Sequence, residues 1–478
     1  MLHIGRNILS LITSRVLSAI VLVFIYFRLL NYLGPSATGQ YGLQTAYLVV
    51  FTFFVDLGIQ QLVIKKMSEN RDETGKYLTN YFGIQFLLGL TFASIMAAIV
   101  LSAHYPLLVE RALLVTSAGL LLSSMTMPFM AVINAFERFK IIATVNFLNA
   151  LINASMMILA MMTHRSILFL AFTPVIVASF NILVYSYIVH TKFARFTYKF
   201  ELAFWKRLFI LSLPFIPLTI FSIYNRIDTL LLPHLRNFTE SGYYTAAYKF
   251  WDILAFVPGA LGAVLYPYFA GKIFRGELAE VRKVLEIYTR FMIALAVPLT
   301  VGAYLLADKL LLTLLRNNSF APAAPAVWIL IAGGSLLMIY VPVNTIMISQ
   351  RTKTATIITG FTLVFNLAAN LILVPKYGFV MAAIITFVSE LIQLVGYTYI
   401  VKTKIIDFNY LGNFIKPVVA GLVMGGVVYY LRSYNLFILS AVGALIYFAT
   451  LLLVRFFHKE EWELVKDTIN FRKKIEIP

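Results

Sequence analysis

Long apolar runs constrain this chain more than any other feature of its sequence. A bilayer core about 30 Å thick is crossed by roughly 20 apolar helical residues, and fourteen runs of about that length, each bounded by charge, Pro or Gly, can be marked. They cover 8–33, 41–63, 79–103, 107–135, 140–162, 166–189, 208–233, 242–270, 284–306, 322–348, 354–375, 379–401, 414–431 and 435–457. About a quarter of the residues of a soluble domain are charged, whereas 13% of these 478 residues are charged and 60% are hydrophobic. The sequence therefore predicts an all-α polytopic membrane protein with about 14 transmembrane helices.

The net charge of +18 is explained by where the basic residues lie. In membrane proteins, Lys and Arg are in excess in the cytoplasmic loops. Lys and Arg are concentrated in the N-terminal segment, in the loops after even-numbered spans and in the C-terminal tail. The opposite loops contain only Arg111, Arg165, Arg236, Lys309, Arg316, Lys376 and Arg432. This asymmetry predicts a cytoplasmic (inner) membrane protein with both termini cytoplasmic, and it explains the charge without a nucleic-acid partner. The tail, residues 459–478, has the pattern of an amphipathic helix lying on the lipids of the inner leaflet.

This topology predicts the outcome of reporter fusions along the chain. Fusions after positions 70, 200, 278 and 404 should report a cytoplasmic location, and fusions after positions 236 and 316 should report the outer side, because the charge bias assigns these loops to opposite faces. The measurement is paired phosphatase and fluorescent-protein activity in intact cells. A signal from the outer side at position 200 would contradict the fourteen-span topology.

A weak internal repeat relates the two halves of the chain. Gly39-Gln-Tyr41 opens span 2, and Gly242-Tyr-Tyr244 opens span 8, which lies 203 residues later. Two halves of six helices have the same orientation because six is even, so the repeat is parallel, with its axis along the membrane normal. The predicted organisation has five parts: an N-lobe at 1–190 (spans 1–6), a cytoplasmic linker at 191–207, a C-lobe at 208–402 (spans 7–12), spans 13 and 14 at 403–458, and the tail at 459–478.

The residues of enzyme chemistry are scarce. The sequence contains no Cys, and none of its six His lies near another His. The longest outer segment, about residues 307–321, contains no His. Thiolate metal sites and cysteine nucleophiles are therefore excluded, and we expect no catalytic residue, no metal and no enzymatic activity.

Short motifs are distributed along the chain from span 1 to span 12. They are Arg28-Leu-Leu-Asn-Tyr-Leu-Gly34-Pro35, Asp56-Leu-Gly58, Glu137-Arg138, Leu213-Pro214, Ile227-Asp228, Gly242 to Tyr244, Pro267, Asn370, Pro375 to Gly378 and Glu390. In this order on fourteen spans they resemble the polysaccharide-transport (Wzx-type) flippases of the multidrug/oligosaccharidyl-lipid/polysaccharide (MOP) exporter superfamily. The resemblance implies two lobes around a central cavity, alternating access, and a polyprenyl-diphosphate oligosaccharide as cargo, such as an O-antigen unit of lipopolysaccharide or a capsule unit.

The same resemblance leaves other cargoes open. A lipid II flippase and a multidrug exporter belong to the same superfamily, although an excess of membrane cations over anions would repel the cationic drugs of an exporter. A membrane-embedded polysaccharide polymerase or ligase is the alternative of another class. The resemblance also implies a proton or sodium gradient in place of a cofactor, and a polysaccharide polymerase as a partner.

Ionisable residues inside spans are the candidates for substrate contacts, since each costs ~2.5 to 3.5 kcal/mol at a helix centre without a partner or a wet cavity. Arg28 and Arg226 lie at similar depths on repeat-related spans, and we expect them to bind the diphosphate, with Arg15 and Lys249 beside them. Guanidinium groups suit phosphate because their donors can engage two oxygens at once. The alternative is a neutral network of Arg226, Asp228, Lys249 and Asp252 that braces spans 7 and 8. Arg290 is a further cavity candidate, unless it pairs with Glu286 one turn earlier.

Carboxylates and asparagines inside spans suggest two further roles. Asp56 and Glu390 are candidates for ion coupling, although Asp56 could instead form a fixed salt bridge with Arg15. Polar stripes run along spans 5 and 11, and they predict either contacts with sugar hydroxyls or hydrogen bonds between helices. Their members are Asn146, Asn149 and Asn153 on span 5 and Asn366 and Asn370 on span 11.

Overall fold

Helices make up nearly all of the chain that the structure describes. The computed structural model describes residues 2–197, 199–213, 226–316, 318–408 and 411–456, with side chains from Leu22 onward except at Val257, Ala263 and Leu411. Chain contacts divide the protein into two compact units, Met1–Thr245 and Ala246–Pro478. No strand occurs in the described residues, which agrees with the predicted all-α class.

Within the described residues, unit 1 contains eight α-helices and the beginning of a ninth. They are α1 (Leu2–Asp56), α2 (Ile59–Glu69), α3 (Thr74–Ser102), α4 (Leu107–Ala135), α5 (Phe139–Met162), α6 (Ile167–Lys192), α7 (Leu202–Ser212), α8 (Ile227–Leu235) and α9 (Phe238–Phe274). Helix α4 packs against α3 and α6, while α1 packs against α5. A buried apolar cluster around Leu78 and Val132 joins α2, α3 and α4 near the α2–α3 turn.

The part of unit 2 that the structure describes contains the rest of α9 and six further α-helices. They are α10 (Leu278–Leu315), α11 (Ala324–Gln350), α12 (Thr352–Tyr377), α13 (Phe379–Lys404), α14 (Ile415–Tyr430) and α15 (Leu436–Leu453). Helix α11 lies between α10 and α13. It is the most buried of the ten candidate spans, because 83% of its 18-residue apolar stretch lies inside the protein. Helices α14 and α15 pack on α10 through a cluster that includes Leu306, Met424 and Tyr447.

Helix ends agree with the predicted spans except at three places and in span 7. Spans 1 and 2 belong to one helix, α1, which kinks at Gly34 (φ 72°) in place of the predicted loop. Glycine tolerates that backbone conformation, and Pro35 suits the first turn of the following helical segment. A second break, at Leu57 and Gly58, separates α1 from α2 and bends the path by 48°. Span 9, predicted to end at residue 306, continues to Leu315 in the single helix α10.

The predicted span 7 is described only at its ends. Helix α7 begins at Leu202, inside the predicted linker, and packs on α2 and α3, while α8 covers the C-terminal end of the span. Residues 214–225 between them lie outside the described residues, as does the tail 459–478.

Most of the described helices suit a bilayer. Ten are long and apolar enough to cross a membrane, or eleven if the bent pair of α1 and α2 is one span. Helix α14 is apolar but has only 16 residues. Large apolar side chains such as Leu183, Phe361 and Leu422 are exposed on the helix surfaces, as lipid-facing positions require.

Candidate functional site

Arg28 is an exposed cation in the middle of an apolar helical segment. Its neighbours Phe27, Leu29 and Leu30 are buried, and Leu29 packs against Met157 of α5. The Arg28 side chain is on the exposed side of α1, and within the described residues it makes no hydrogen bond or ion pair. A guanidinium in this environment keeps all its donors available for an anionic ligand.

Arg226 lies at the start of α8, also in unit 1. It is half-buried, and its carbonyl accepts a hydrogen bond from the Leu230 amide. Two residues on, Asp228 is buried and accepts a 2.7 Å hydrogen bond from the Tyr244 hydroxyl. Tyr244 was not identified from the sequence as a partner of this carboxylate. Helix α8 packs on α1, so both predicted phosphate ligands, Arg28 and Arg226, belong to contacting helices of one unit.

The other predicted cations have different environments. Lys249 lies 3.7 Å from Asp252 on the same helix, and both side chains are partly buried. This ion pair is the α9 half of the neutral network considered from the sequence. Arg290 is half-buried on α10, while Glu286 accepts a 2.9 Å hydrogen bond from Arg282 Nε. The Arg15 side chain lies outside the described residues.

The two asparagine stripes differ in their hydrogen bonding. On α12, Asn366 donates to the Ser389 hydroxyl of α13 at 3.3 Å, and Asn370 donates to the Asn366 carbonyl at 2.8 Å. On α5, Asn153 donates to the carbonyl of Asn149 in its own helix at 2.7 Å. Asn146 and Asn149 make no side-chain hydrogen bond within the described part of the chain, and the Asn149 Oδ1 atom is buried. The α12 stripe thus joins two helices, whereas the α5 stripe does not.

Glu390 lies in a buried polar cluster of unit 2. It is fully buried on α13, and one of its carboxylate oxygens accepts a 2.7 Å hydrogen bond from the Tyr340 hydroxyl of α11. Gln393 is buried one turn later and accepts a 3.3 Å hydrogen bond from Tyr397. The sequence indicated Glu390 but not Tyr340 or Gln393. The only local signal for Gln393 is a second polar residue three positions after Glu390, on the same side of an apolar span.

An apolar cavity of about 480 Å³ also lies within unit 2. Residues of α9, α10, α14 and α15 line it, including Phe250, Leu299, Met424 and Phe448. The lining contains no charged residue among the described side chains, and Ser440 and Tyr447 are its hydroxyl-bearing members. Such a cavity accepts hydrocarbon rather than a sugar or a phosphate.

Comparison with known families identifies the chain. Its residues 4–272 match the family described as polysaccharide biosynthesis protein, which lies in the MOP superfamily. The chain belongs to this family. No curated protein sequence matches the chain. The family assignment confirms the resemblance seen in the motifs.

Two solved structures show the fold of this protein. The lipid II flippase MurJ, in an inward closed conformation, superposes with a TM-score of 0.77 at 16% identity, covering 93% of this chain and 98% of MurJ. An inward-facing multidrug resistance MATE family transporter of the MOP superfamily superposes with a TM-score of 0.65 at 12% identity, covering 80% of this chain and 93% of the transporter. This protein is therefore a multi-pass membrane protein with a MOP transporter fold.

Proposed function

We propose that this protein is a flippase that moves a polyprenyl-diphosphate-linked oligosaccharide from the cytoplasmic to the outer leaflet by alternating access. The observation that carries the proposal is Arg28, an exposed guanidinium within an apolar span that makes no ion pair in the described residues. Such a charge is too costly to face lipid. It is favourable beside a diphosphate, whose oxygens match the planar fork of donors. Arg226, on the contacting helix α8, is the second proposed ligand.

The apolar cavity of unit 2 fits the other end of such a cargo. A polyprenyl chain is a long hydrocarbon, and the cavity offers apolar walls from α9, α10, α14 and α15. Burying hydrocarbon there stabilises the complex by ~25 cal/mol per Å² of apolar surface removed from water. We propose that helices α14 and α15 serve to bind this lipid chain.

Two related cargoes remain to be compared with the oligosaccharide. Lipid II is also a polyprenyl diphosphate, and the superposition with MurJ favours it as the second candidate. A cationic drug is disfavoured because Arg28 would repel it. The side-chain amides of Asn146 and Asn149 on α5, which make no hydrogen bond in the described part of the chain, provide hydrogen-bonding capacity for sugar hydroxyls, and this supports an oligosaccharide.

Transport against a gradient needs a source of energy, and we propose a proton or sodium gradient. Asp56 in unit 1 and Glu390 in unit 2 are the proposed ligands of the coupling ion, and both carboxylates are buried. We further propose that the protein resides in the inner membrane with cytoplasmic termini. A polysaccharide polymerase would then consume the delivered repeat unit on the outer side.

The proposed function predicts that Arg28→Ala stops translocation. Purified protein in proteoliposomes should move a polyprenyl-diphosphate oligosaccharide to the opposite leaflet, where an added glycosidase or lectin detects it. We expect Arg28→Ala to lower the rate at least tenfold, because removing a charged hydrogen-bonding partner of phosphate costs about 1.5 to 3 kcal/mol, and Arg28→Lys to recover part of it.

Arg111→Ala, at an exposed arginine near the outer end of α4, is the matched control and should leave the rate unchanged. Lipid II is assayed in parallel. Full activity of Arg28→Ala at normal abundance would contradict the phosphate site. Transport of lipid II in preference to the oligosaccharide would favour the second cargo.

A further inference from the structure

The break between α1 and α2 lies at membrane depth beside a buried carboxylate. Leu57 (φ 44°) and Gly58 (φ 76°) interrupt the helix directly after Asp56. The Gln60 amide donates to Asp56 Oδ1 at 3.1 Å, so the carboxylate caps the beginning of α2. Asp56 makes no ion pair with any side chain that the structure describes. Its negative charge is therefore met by backbone dipoles alone within that part of the chain.

Two polar side chains of α3 reach the same buried region. Tyr81 and Gln85 are each fully buried and lie one turn apart. Gln85 Nε2 donates to the Val55 carbonyl at 3.3 Å, which fixes its amide group next to the helix break. The Tyr81 hydroxyl lies close enough to interact electrostatically with the Asp56 carboxylate. The three side chains thus converge on one location in unit 1.

The oxygens of this group are incompletely satisfied. Among the described residues, Tyr81 Oη and Gln85 Oε1 are both buried and have no hydrogen bond of normal distance and angle, although the two groups are neighbours. A buried polar atom without a partner is rare and marks a strained site, a missing water or a missing ion. Water would satisfy the hydroxyl and the amide, but it would not neutralise the carboxylate. A cation would neutralise the carboxylate and coordinate both oxygen atoms.

We propose that Asp56, Tyr81 and Gln85 form a binding site for one sodium ion at the α1–α2 break. All three ligand atoms of this site are oxygens, which suit a hard cation. A single carboxylate matches one positive charge, and no group of three acidic, His or Cys residues that could hold a divalent metal occurs in the described residues. Broken helices are a common location for sodium in transporters, because the helix ends leave carbonyl groups available.

The site has a mechanical consequence that rests on the proposed transport function. Sodium would hold α3 against the break, whereas its release would leave Asp56 charged and uncompensated at membrane depth. Occupancy would then bias the 48° bend between α1 and α2, and sodium binding in one conformation would couple its gradient to movement of the cargo. Binding of the ion itself requires no cargo, so the two ideas can be tested separately.

The test measures sodium binding to the purified full-length protein without any lipid-linked substrate. We expect Na⁺, compared with choline at equal ionic strength, to raise the melting temperature by on the order of a few degrees, with K⁺ giving a smaller shift. Retention of ²²Na⁺ on the protein gives a second, direct readout. Asp56→Asn should abolish both signals, while Tyr81→Phe and Gln85→Leu should weaken the apparent sodium affinity at least tenfold. Gln85→Glu, which adds a charged oxygen, should strengthen it.

One control locates the site. Gln44→Leu removes another buried amide of α1, three turns before the break, and should keep the sodium response. The proposal is overturned if the wild type shows no sodium response, as expected if Arg15 neutralises Asp56. It is equally overturned if Asp56→Asn and Tyr81→Phe both retain the response.

Transport assays separate this inference from the proposed function. Sodium binding without translocation would reject the flippase and leave the site in place. Translocation with no sodium response would reject the site alone.

Discussion

Alanine at Gly39 or at Gly242 should nearly abolish folded protein in the membrane. The two glycines belong to α1 and α9, which cross in direct backbone contact within unit 1. A Cβ atom on Gly39 would overlap the Phe238 carbonyl oxygen, and a Cβ on Gly242 would overlap the Pro35 carbonyl oxygen. Carbonyl groups of packed helices cannot rotate away as a side chain can. We therefore expect a destabilisation above the ~1 to 3 kcal/mol that overpacking usually costs.

The measurement is the abundance and melting temperature of the detergent-solubilised protein. Gly360→Ala is the matched control, because a Cβ at this helical glycine of α12 would meet nothing within 4 Å. Alanine favours a helix over glycine by up to ~1 kcal/mol, so this variant should be as stable as the wild type or slightly more stable. Normal abundance and melting of both Gly39→Ala and Gly242→Ala would show that the crossing can relax.

Asn80→Ala should release the segment that joins the two halves of the chain. The Asn80 side chain accepts hydrogen bonds from the Glu201 amide at 2.9 Å and from Trp205 Nε1 at 2.8 Å, and it donates to the Lys199 carbonyl at 3.3 Å. Each bond contributes about 1 kcal/mol, so their loss should cost about 3 kcal/mol. Local opening of residues 199–205 should then become about 100-fold more frequent.

Trypsin cleavage after Lys199 measures that opening in the folded protein. Asn134→Ala is the control, since Asn134 is a half-buried asparagine near the end of α4 whose side chain, among the described residues, bonds only to the Met130 carbonyl of its own helix at 3.0 Å. Its cleavage rate should equal that of the wild type. Equal rates for Asn80→Ala as well would mean that apolar packing around Phe196 and Trp205 suffices to hold the segment.

The Asn80 contacts change the interpretation of the segment between the repeats. Its charge and low hydropathy predict a solvent-exposed linker, but the described part is docked on α3. Gly83 permits this docking, because a Cβ there would meet the Trp205 ring at 2.6 Å. A sequence without an alignment cannot show this, because the partners are more than one hundred residues apart and several of them are backbone atoms.

In the candidate site, too, the sequence indicates some of the residues, whereas others are found only in the structure. Arg28, Asp56 and Glu390 are visible in the sequence because a charge inside an apolar span is costly and therefore rare. Their neighbours Tyr81, Gln85 and Tyr340 are not, since an uncharged side chain costs less in a span than a charge does and becomes informative only when it is buried beside a carboxylate. The predicted roles of these residues in binding and coupling await the experiments described above.

The sequence by itself determined the membrane class, the positions of most helices and the family, because these depend on local hydropathy and on short motifs. It also identified Gly39 and Gly242 as equivalent positions of the repeat. Only the tertiary structure decided that these two glycines pack against each other's helices, that the loop expected after Gly34 is a kink, and that a helix break places Asp56 beside Tyr81. The physical reason is range: hydropathy and backbone preference act within a few turns of helix, whereas these contacts depend on which distant helices exclude lipid from one another.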